Sequence, residues 1–371
     1  MSTETKRRPS EQTAPVVRRA AVRDMSTRSA LEPVAVEFDA RTAYDFLVSL
    51  MLVEEPELLP EDAEWLAAAR ASLSEGARRD LRRAFGDDEP AHSGMGMALV
   101  PLIVEDPRVR TAADVVALAG RIAPVDVVGA TCEIGDRERT VALATRALAG
   151  DDAARADLIA TLPEMARPAL ERLLSDPDGE IRSIRRALRA WSERFAMIEP
   201  RLAAMLEREA VARRDDSGGA AVADVVERVT GGVRFAPEAG ITRVILAPPY
   251  FARPYNYLFG EQGWRMYCYP IADAALDGDP SALPSATVRL FKALGDETRL
   301  RILRLLGDGD LYLTEIAERV SLSKPTVRHH MILLRAAGLV TVTETGGLTY
   351  YSLRRDRVAD ATPDLQRLLG A

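Results

Sequence analysis

Residues 314–353 constrain the fold of this chain more than any other stretch. TEIAERV (314–320) is followed by only three residues, Ser321-Leu322-Ser323, and then by KPTVRHHMILLRAA (324–337), which Gly338 stops. Thr314 and Ser323 are hydroxyl residues suited to cap helix N-termini, and Pro325 falls in a first turn, where its missing N–H costs nothing. Two helices joined by so short a turn form a helix-turn-helix. LVTVTE (339–344), the turn Thr345-Gly346-Gly347 and LTYYSL (348–353) then read as two strands about a glycine hairpin, a wing. TVRLFKALGDETRLRILRLL (287–306), amphipathic and interrupted near Gly295 and Asp296, supplies the helices in front. Residues 286–371 are therefore expected to form a winged helix-turn-helix domain.

The second helix of the pair has two chemically distinct sides. At about 100° per residue, Val327, Met331 and Leu334 share one side and point into the core. Lys324, Thr326, Arg328 and His329 lie off that side in the first turns, the part of a recognition helix that meets base edges in the major groove. Arg bonds guanine at two atoms, Thr and His bond bases or phosphates, and Lys suits phosphate. His330 sits on the flank, where packing or a bond to the wing is the expected use, and is counted with the DNA-binding set beside His329. Ser323 at the cap, Thr345, Gly346 and Gly347 at the wing tip, and Arg354 with Arg355 at the end of the second wing strand complete the expected DNA-contacting set.

Net charge argues the other way until it is divided along the chain. The 371 residues hold 56 acidic and 49 basic side chains, a net −7, whereas duplex binding is driven largely by neutralising phosphates. Residues 1–30 carry seven basic and three acidic groups and residues 286–355 carry eleven and seven, so each segment is +4 and residues 31–285 are −14. The acidity belongs to one region, with a basic module behind it.

LFKALGDETRLRILRLL, TEIAERV, SKPTVRHHMILLRAAGLV and the TGG wing with TYYSLRR together resemble the winged-helix domain of the ArsR-type bacterial transcriptional repressors. The resemblance covers about 70 residues and includes the paired histidines His329 and His330. It implies a bacterial, nucleoid-associated homodimer on a palindromic operator, with the recognition helix in the major groove and the wing at flanking phosphates. Metal-sensing members carry cysteines where this chain has DLYLTEIA (310–317), with Tyr312 and no thiol; others use Asp and His on the final helix, where residues 356–371 offer Asp356, Asp360 and Asp364 and no histidine. A non-metal signal, a small molecule, a stress or a protein, is then expected to enter through the preceding region, which minimal members lack.

Residues 34–276 read as a mostly helical regulatory and dimerisation region, behind a basic tail (1–33) expected to be disordered. Caps are expected at Asp39, Ser74 and Thr111 with Asp114, and stops at Gly86, Gly120 and Gly150. Ile181, Ile184, Leu188, Trp191, Phe195, Ile198, Leu202 and Met205 recur at alternating spacings of three and four, a heptad seam. It fits packing inside a helical bundle or a dimer contact through Ile184, Leu188, Trp191, Phe195 and Ile198. Pro200, on its outer face, is expected to kink one helix or start a second. Short strands are expected at 241–248 and 264–271. Around them, Tyr250, Phe251, Tyr255, Tyr257, Phe259, Trp264 and Tyr267 form either the small core of a hairpin or the lining of an apolar effector pocket or subunit contact. DGDPSALPS (277–285) reads as a linker. The expected class is mainly α: a helical N-terminal domain with a small β element, then the winged domain.

Other functions find little support. GMGMAL (94–99) lacks the third glycine of a dinucleotide fingerprint, and no phosphate loop, HExxH or GxSxG occurs. His92, the one histidine outside the winged domain, lies in a polar loop. Cys132 and Cys268 stand 136 positions apart, outside any CxxC pair, which disfavours disulfide or thiolate-zinc frameworks. No long apolar run suggests a membrane span or export signal. The expectations are a cytoplasmic DNA-binding regulator, no enzyme, no cofactor and no metal. A regulator fused to an enzyme, and an interaction adaptor using the winged helix only to dimerise, are the alternatives.

Overall fold

The computed structural model describes residues 33–53, 62–86, 95–132, 137–162, 166–253, 255–276, 285–345 and 348–369. Almost all of the basic tail and linker, His92, Gly346 and Gly347 lie outside the described residues. In chain order the elements are β1 (Ala35–Phe38), α1 (Thr42–Leu52), α2 (Ala63–Ala71), α3 (Glu75–Phe85), α4 (Leu99–Glu105), α5 (Ala112–Arg121), α6 (Pro124–Thr131), α7 (Arg137–Leu148), α8 (Asp152–Thr161), α9 (Arg167–Ser175), α10 (Pro177–Phe195), α11 (Glu199–Asp216) and α12 (Val222–Thr230). Then come β2 (Arg243–Ala247), β3 (Tyr257–Glu261), β4 (Trp264–Cys268), α13 (Ser285–Leu294), α14 (Glu297–Asp308), β5 (Leu311–Tyr312), α15 (Leu313–Val320), α16 (Lys324–Ala336), β6 (Val340–Thr345), β7 (Leu348–Leu353), α17 (Arg355–Ala359) and α18 (Ala361–Leu369). Short 3-10 turns at Met95–Ala98, Tyr250–Ala252 and Asp273–Ala275 complete the set. The protein is mainly helical with small sheets, as its sequence pattern predicts.

The N-terminal part contains a four-stranded sheet in the order β1-β2-β4-β3. β1 runs parallel to β2 (Val36 opposite Val244), β2 parallel to β4 (Leu246 opposite Tyr267), and β3 antiparallel to β4 (Phe259 opposite Met266). Alternate residues of a strand face opposite sides, and the two sides of this sheet are both covered. Ile245, Ala247, Trp264, Met266 and Cys268 join the large core of the helical layers. Val244, Leu246, Tyr267 and Tyr269 pack instead with Val225, Val226 and Val229, so α12 lies over the second face. β1 and β3, like the two-residue β5 of the winged domain, are strands that the sequence pattern did not reveal.

The 181–205 seam is spent inside this core. Ile184, Leu188, Trp191 and Phe195 are 0 % exposed, Ile181, Leu202 and Met205 are buried, and Ile198 is half-buried. Trp191 donates its indole N–H to Ser49 Oγ at 2.8 Å, and Phe195 meets Phe46 edge-on at 5.2 Å. Side chains already enclosed by their own chain have no face left for a second subunit, which corrects the dimer-contact expectation for this seam. Pro200 starts a new helix: α10 ends at Phe195 and α11 opens with the proline in its first turn.

The caps follow local chemistry where the bond is local. Ser74 accepts from the Ala77 amide, and Thr111 with Asp114 forms a reciprocal box at α5. Asp39 does not cap α1; it binds the Arg41 guanidinium at 2.8 Å and accepts from the Tyr44 hydroxyl at 2.9 Å. Gly120 lies within α5 rather than ending it. Thr314 lies within α15, whose N-cap is Tyr312, with the Glu315 carboxylate accepting from the Tyr312 amide at 2.9 Å.

The turn between α15 and α16 carries a backbone cost. Ser321 has φ 58°, the one non-glycine in the left-handed region among the described residues, and it is exposed. A side chain there costs about 1–2 kcal/mol, partly offset by the order glycine would lose on folding. Ser321→Gly is expected to stabilise the chain by about 0.5–1 kcal/mol in denaturant melts. Unchanged or lower stability would show that the Ser321 side chain compensates the turn.

Candidate nucleic-acid interface

The recognition helix is positioned by its apolar side. Val327, Met331 and Leu334 are 0–1 % exposed and pack with Leu290, Ile302, Leu306, Ile316 and Leu339, a core separate from that of the N-terminal part. That burial fixes the rotation of α16 and turns Lys324, Thr326, Arg328 and His329 outward, all exposed. Ser323 closes the helix start: its hydroxyl accepts from the Thr326 amide at 3.3 Å and shares a 2.8 Å bond with the Thr326 hydroxyl. Lys324 and Arg328 have no side-chain partner among the described residues and stand ready to meet an outside acceptor. Arg319, exposed near the end of α15, is likewise unpaired there and was missed because one arginine on a helix face carries no sequence signal.

Three residues of the expected contact set are otherwise engaged. His330 does not reach the wing; its Nδ1 stands 3.8 Å from Asp296, the N-cap of α14, and is half-buried. Partial burial holds its pKa below the ordinary value despite the nearby carboxylate. Arg354 donates to the Gly231 carbonyl at 2.8 Å and to Asp356 at 2.9 Å. Its guanidinium is therefore committed to the N-terminal part and not to a DNA backbone. Arg355 donates to the Gly307 carbonyl at 2.5 Å. β6 and β7 pair in the hairpin register, Val340 opposite Leu353 through Thr345 opposite Leu348, and β5 joins them on the β7 side.

Comparison with known proteins bears on residues of this module. The family profile described as "Helix-turn-helix domain" matches residues 294–343. The transcriptional repressor SdpR of Bacillus subtilis is 39% identical over 72 residues, 19% of this chain and 80% of that protein. The HTH-type transcriptional regulator CmtR of Mycobacterium tuberculosis is 38% identical over 85 residues, 23% of this chain and 72% of CmtR. The chain belongs to the ArsR family of transcriptional regulators. Among solved structures, HlyU from Vibrio cholerae is similar at 32% identity, covering 24% of this chain and 95% of HlyU with a TM-score of 0.20. The family relationship makes this ArsR-family chain a DNA-binding transcriptional regulator, with its family domain behind a much longer N-terminal part.

That N-terminal part and the winged domain of this ArsR-family regulator are joined by a polar seam. Arg335, on the last turn of α16, is withdrawn from water against the Asn256 carbonyl at 3.4 Å, and that burial lowers its pKa. Asn256, the sole asparagine, donates its side-chain N–H to the Thr230 carbonyl at the end of α12, 3.0 Å. Val233 forms a parallel bridge to Val342 of β6, and Gly232 is closely faced by Thr341 and Arg354. The recognition helix thus presents its start outward while its end and the wing base rest on residues 230–256.

The aromatic stretch has been absorbed by packing. Phe251, Trp264 and Tyr267 are 1, 2 and 6 % exposed, Tyr250 is buried, and Tyr255, Tyr257 and Phe259 are half-buried. Phe251 lies between Trp65 and Phe195 in the helical core, at 5.7 and 6.4 Å. None of the seven lines the 690 Å³ cleft found along the edge of β1, which is bounded by residues 36–41, Arg110, Arg214 and Val225 among others. Of the two expected uses of these aromatics, the packed core is the one that Phe251, Trp264 and Tyr267 take. The Tyr312 hydroxyl meets that of Tyr350. Among the described residues no cluster of three or more His, Cys, Asp or Glu side chains is placed to hold a metal, and no helix is long and apolar enough to cross a membrane.

Proposed function

We propose that the chain is a homodimeric repressor acting in the bacterial cytoplasm. It reads a palindromic operator with the first turns of α16 and answers a non-metal signal that enters through residues 34–276. The observation that carries this reading is the outward Lys324 and Arg328, unpartnered among the described residues, on a helix locked by Val327, Met331 and Leu334. Repression is proposed by analogy with the relative SdpR, a transcriptional repressor. Because the 181–205 seam is enclosed, the dimer contact is assigned to the winged domain, where Val358, Leu365 and Leu369 leave apolar surface 39, 38 and 70 % exposed. A non-metal signal is supported by the state of the thiols: Cys132 and Cys268 are buried, and burial pushes the Cys132 thiol up to about 11 and Cys268 further, so neither offers a thiolate. The same reading makes the chain a regulator and not an enzyme.

Arg328 provides the test. A bidentate guanine contact contributes about 1–3 kcal/mol of discrimination. Arg328→Ala is expected to weaken operator binding by about tenfold to a hundredfold and to relax preference at one base pair of each half-site. Equal loss on operator and random DNA would show that Arg328 only touches phosphate, and no loss on either would remove α16 from the interface.

A further inference from the structure

The 690 Å³ cleft beside β1 is an open cleft walled by three parts of the chain. β1 is the edge strand of its sheet, and its residues 36–39 form one wall. The loop between α4 and α5 forms the second, held by Arg41, which donates to the carbonyls of Ile103, Asp106 and Val109 at 2.8, 3.2 and 3.2 Å while binding Asp39. The end of α11 and the start of α12 form the third. Glu199 fastens these walls together, accepting from Thr42 at 2.6 Å and from the Ala112 amide at 2.8 Å.

The charges of the cleft are unevenly used. Arg41 is consumed by Asp39, and Arg243 by Glu37 at 2.9 Å. Arg110, on the α4–α5 loop, and Arg214, on α11, have no side-chain hydrogen bond or ion pair among the described residues, though both line the cleft. Glu207 is the remaining acid, seven residues before Arg214 and so about 10 Å away along the helix. Two guanidiniums on different walls, in a cleft that Phe38, Val104 and Val225 also line, suit a carboxylate attached to an apolar body.

The position of α12 connects this cleft to DNA. Val225 in its first turn lines the cleft, and it follows Gly218 and Gly219, the latter at φ 78°, a pivot that tolerates rotation. Its last residue, Thr230, is bonded by Asn256, whose carbonyl receives Arg335 of the recognition helix, and the next residue, Gly231, receives Arg354. An anion that draws Arg110 and Arg214 together changes the seat of α12, and the far end of α12 is where the winged domain rests.

We propose that this cleft is the effector site, binding a small organic anion with an apolar body, and that α12 conveys its occupancy to the winged domain. The proposal deepens the reading of the chain as a signal-responsive regulator and rests on it. Salicylate, phenylacetate and octanoate are suitable probes, with benzyl alcohol and inorganic phosphate as controls, titrated calorimetrically into the full chain. At least one of the three carboxylates is expected to bind saturably, the controls at least about tenfold more weakly, and Arg110→Ala/Arg214→Ala is expected to lose about tenfold or more in affinity. Operator affinity measured with and without the bound carboxylate is expected to differ at least about threefold for the wild type and for neither direction in the double variant. Absence of binding by all three carboxylates, or binding that the double variant keeps, overturns the site while leaving the regulator reading intact. Binding that needs both arginines but leaves operator affinity unchanged upholds the site and overturns the relay and the signal-responsive reading. Asn256→Ala, outside the cleft, is expected to keep carboxylate binding and lose the operator response; a retained response would overturn the α12 route.

Discussion

Trp191→Ala is expected to lower stability by about 3–5 kcal/mol, the range for emptying a large aromatic site in a packed core. The indole is 0 % exposed, meets Trp65 edge-on at 5.8 Å, and donates to Ser49 Oγ at 2.8 Å. Alanine leaves both a void and a buried hydroxyl without its donor, and the neighbouring helices can collapse only in part. A drop in melting temperature of about 10 °C, independent of protein concentration, is the expected result. A small change in melting accompanied by loss of the dimer would contradict the structure and return the heptad seam to the subunit interface.

The second large effect concerns a buried carboxylate. Asp45 on α1 is 0 % exposed and accepts the amides of Tyr250 and Phe251, each at 2.9 Å, tying the helical layers to the turn after β2. Arg253, beside it, is engaged with Asp62 at 3.0 Å. Burial outweighs the two amide bonds and the nearby guanidinium, and lifts the Asp45 carboxyl up to about 7. The folded chain therefore holds a proton that the unfolded chain, titrating near the ordinary value of about 4, releases. Stability from this group is greatest at low pH and declines by about 1.4 kcal/mol per pH unit between about 4 and 7. The stability difference between wild type and Asp45→Asn, which has no such proton, should fall across that window and level off above about pH 8. A flat difference from pH 4 to 7 would mean that the two amides hold the carboxylate ionised.

What the sequence made legible was set by the range of the interactions. The helix-turn-helix depends on caps, an apolar stripe and a three-residue turn, all within a few positions of one another, and Ser323, Val327, Met331 and Leu334 take the places that pattern predicts. The sheet could not be read in the same way. β1 is four residues of modest pattern, AVEF, and its partner β2 lies on the far side of α1–α12. β3 was hidden by its own aromatics, which suggested a pocket. The commitment of Arg354 to Gly231, of Arg335 to Asn256 and of His330 to Asp296 each joins positions distant in the chain. Nothing local distinguishes an arginine aimed at phosphate from one aimed at a carbonyl. Arg110 and Arg214 were invisible for the same reason, being two among 46 arginines until the fold placed them on one cleft.

The central claim is that α16 gives a chain of net charge −7 sequence-specific access to DNA. It is tested most directly by the affinity of the purified full chain for the DNA upstream of its own coding region, against random duplex of equal length, between about 50 and 200 mM salt. The account predicts a preference of about a thousandfold or more for the upstream DNA, with both affinities falling as salt rises. Equal affinity for the two duplexes, or no salt-sensitive binding to either, would contradict it.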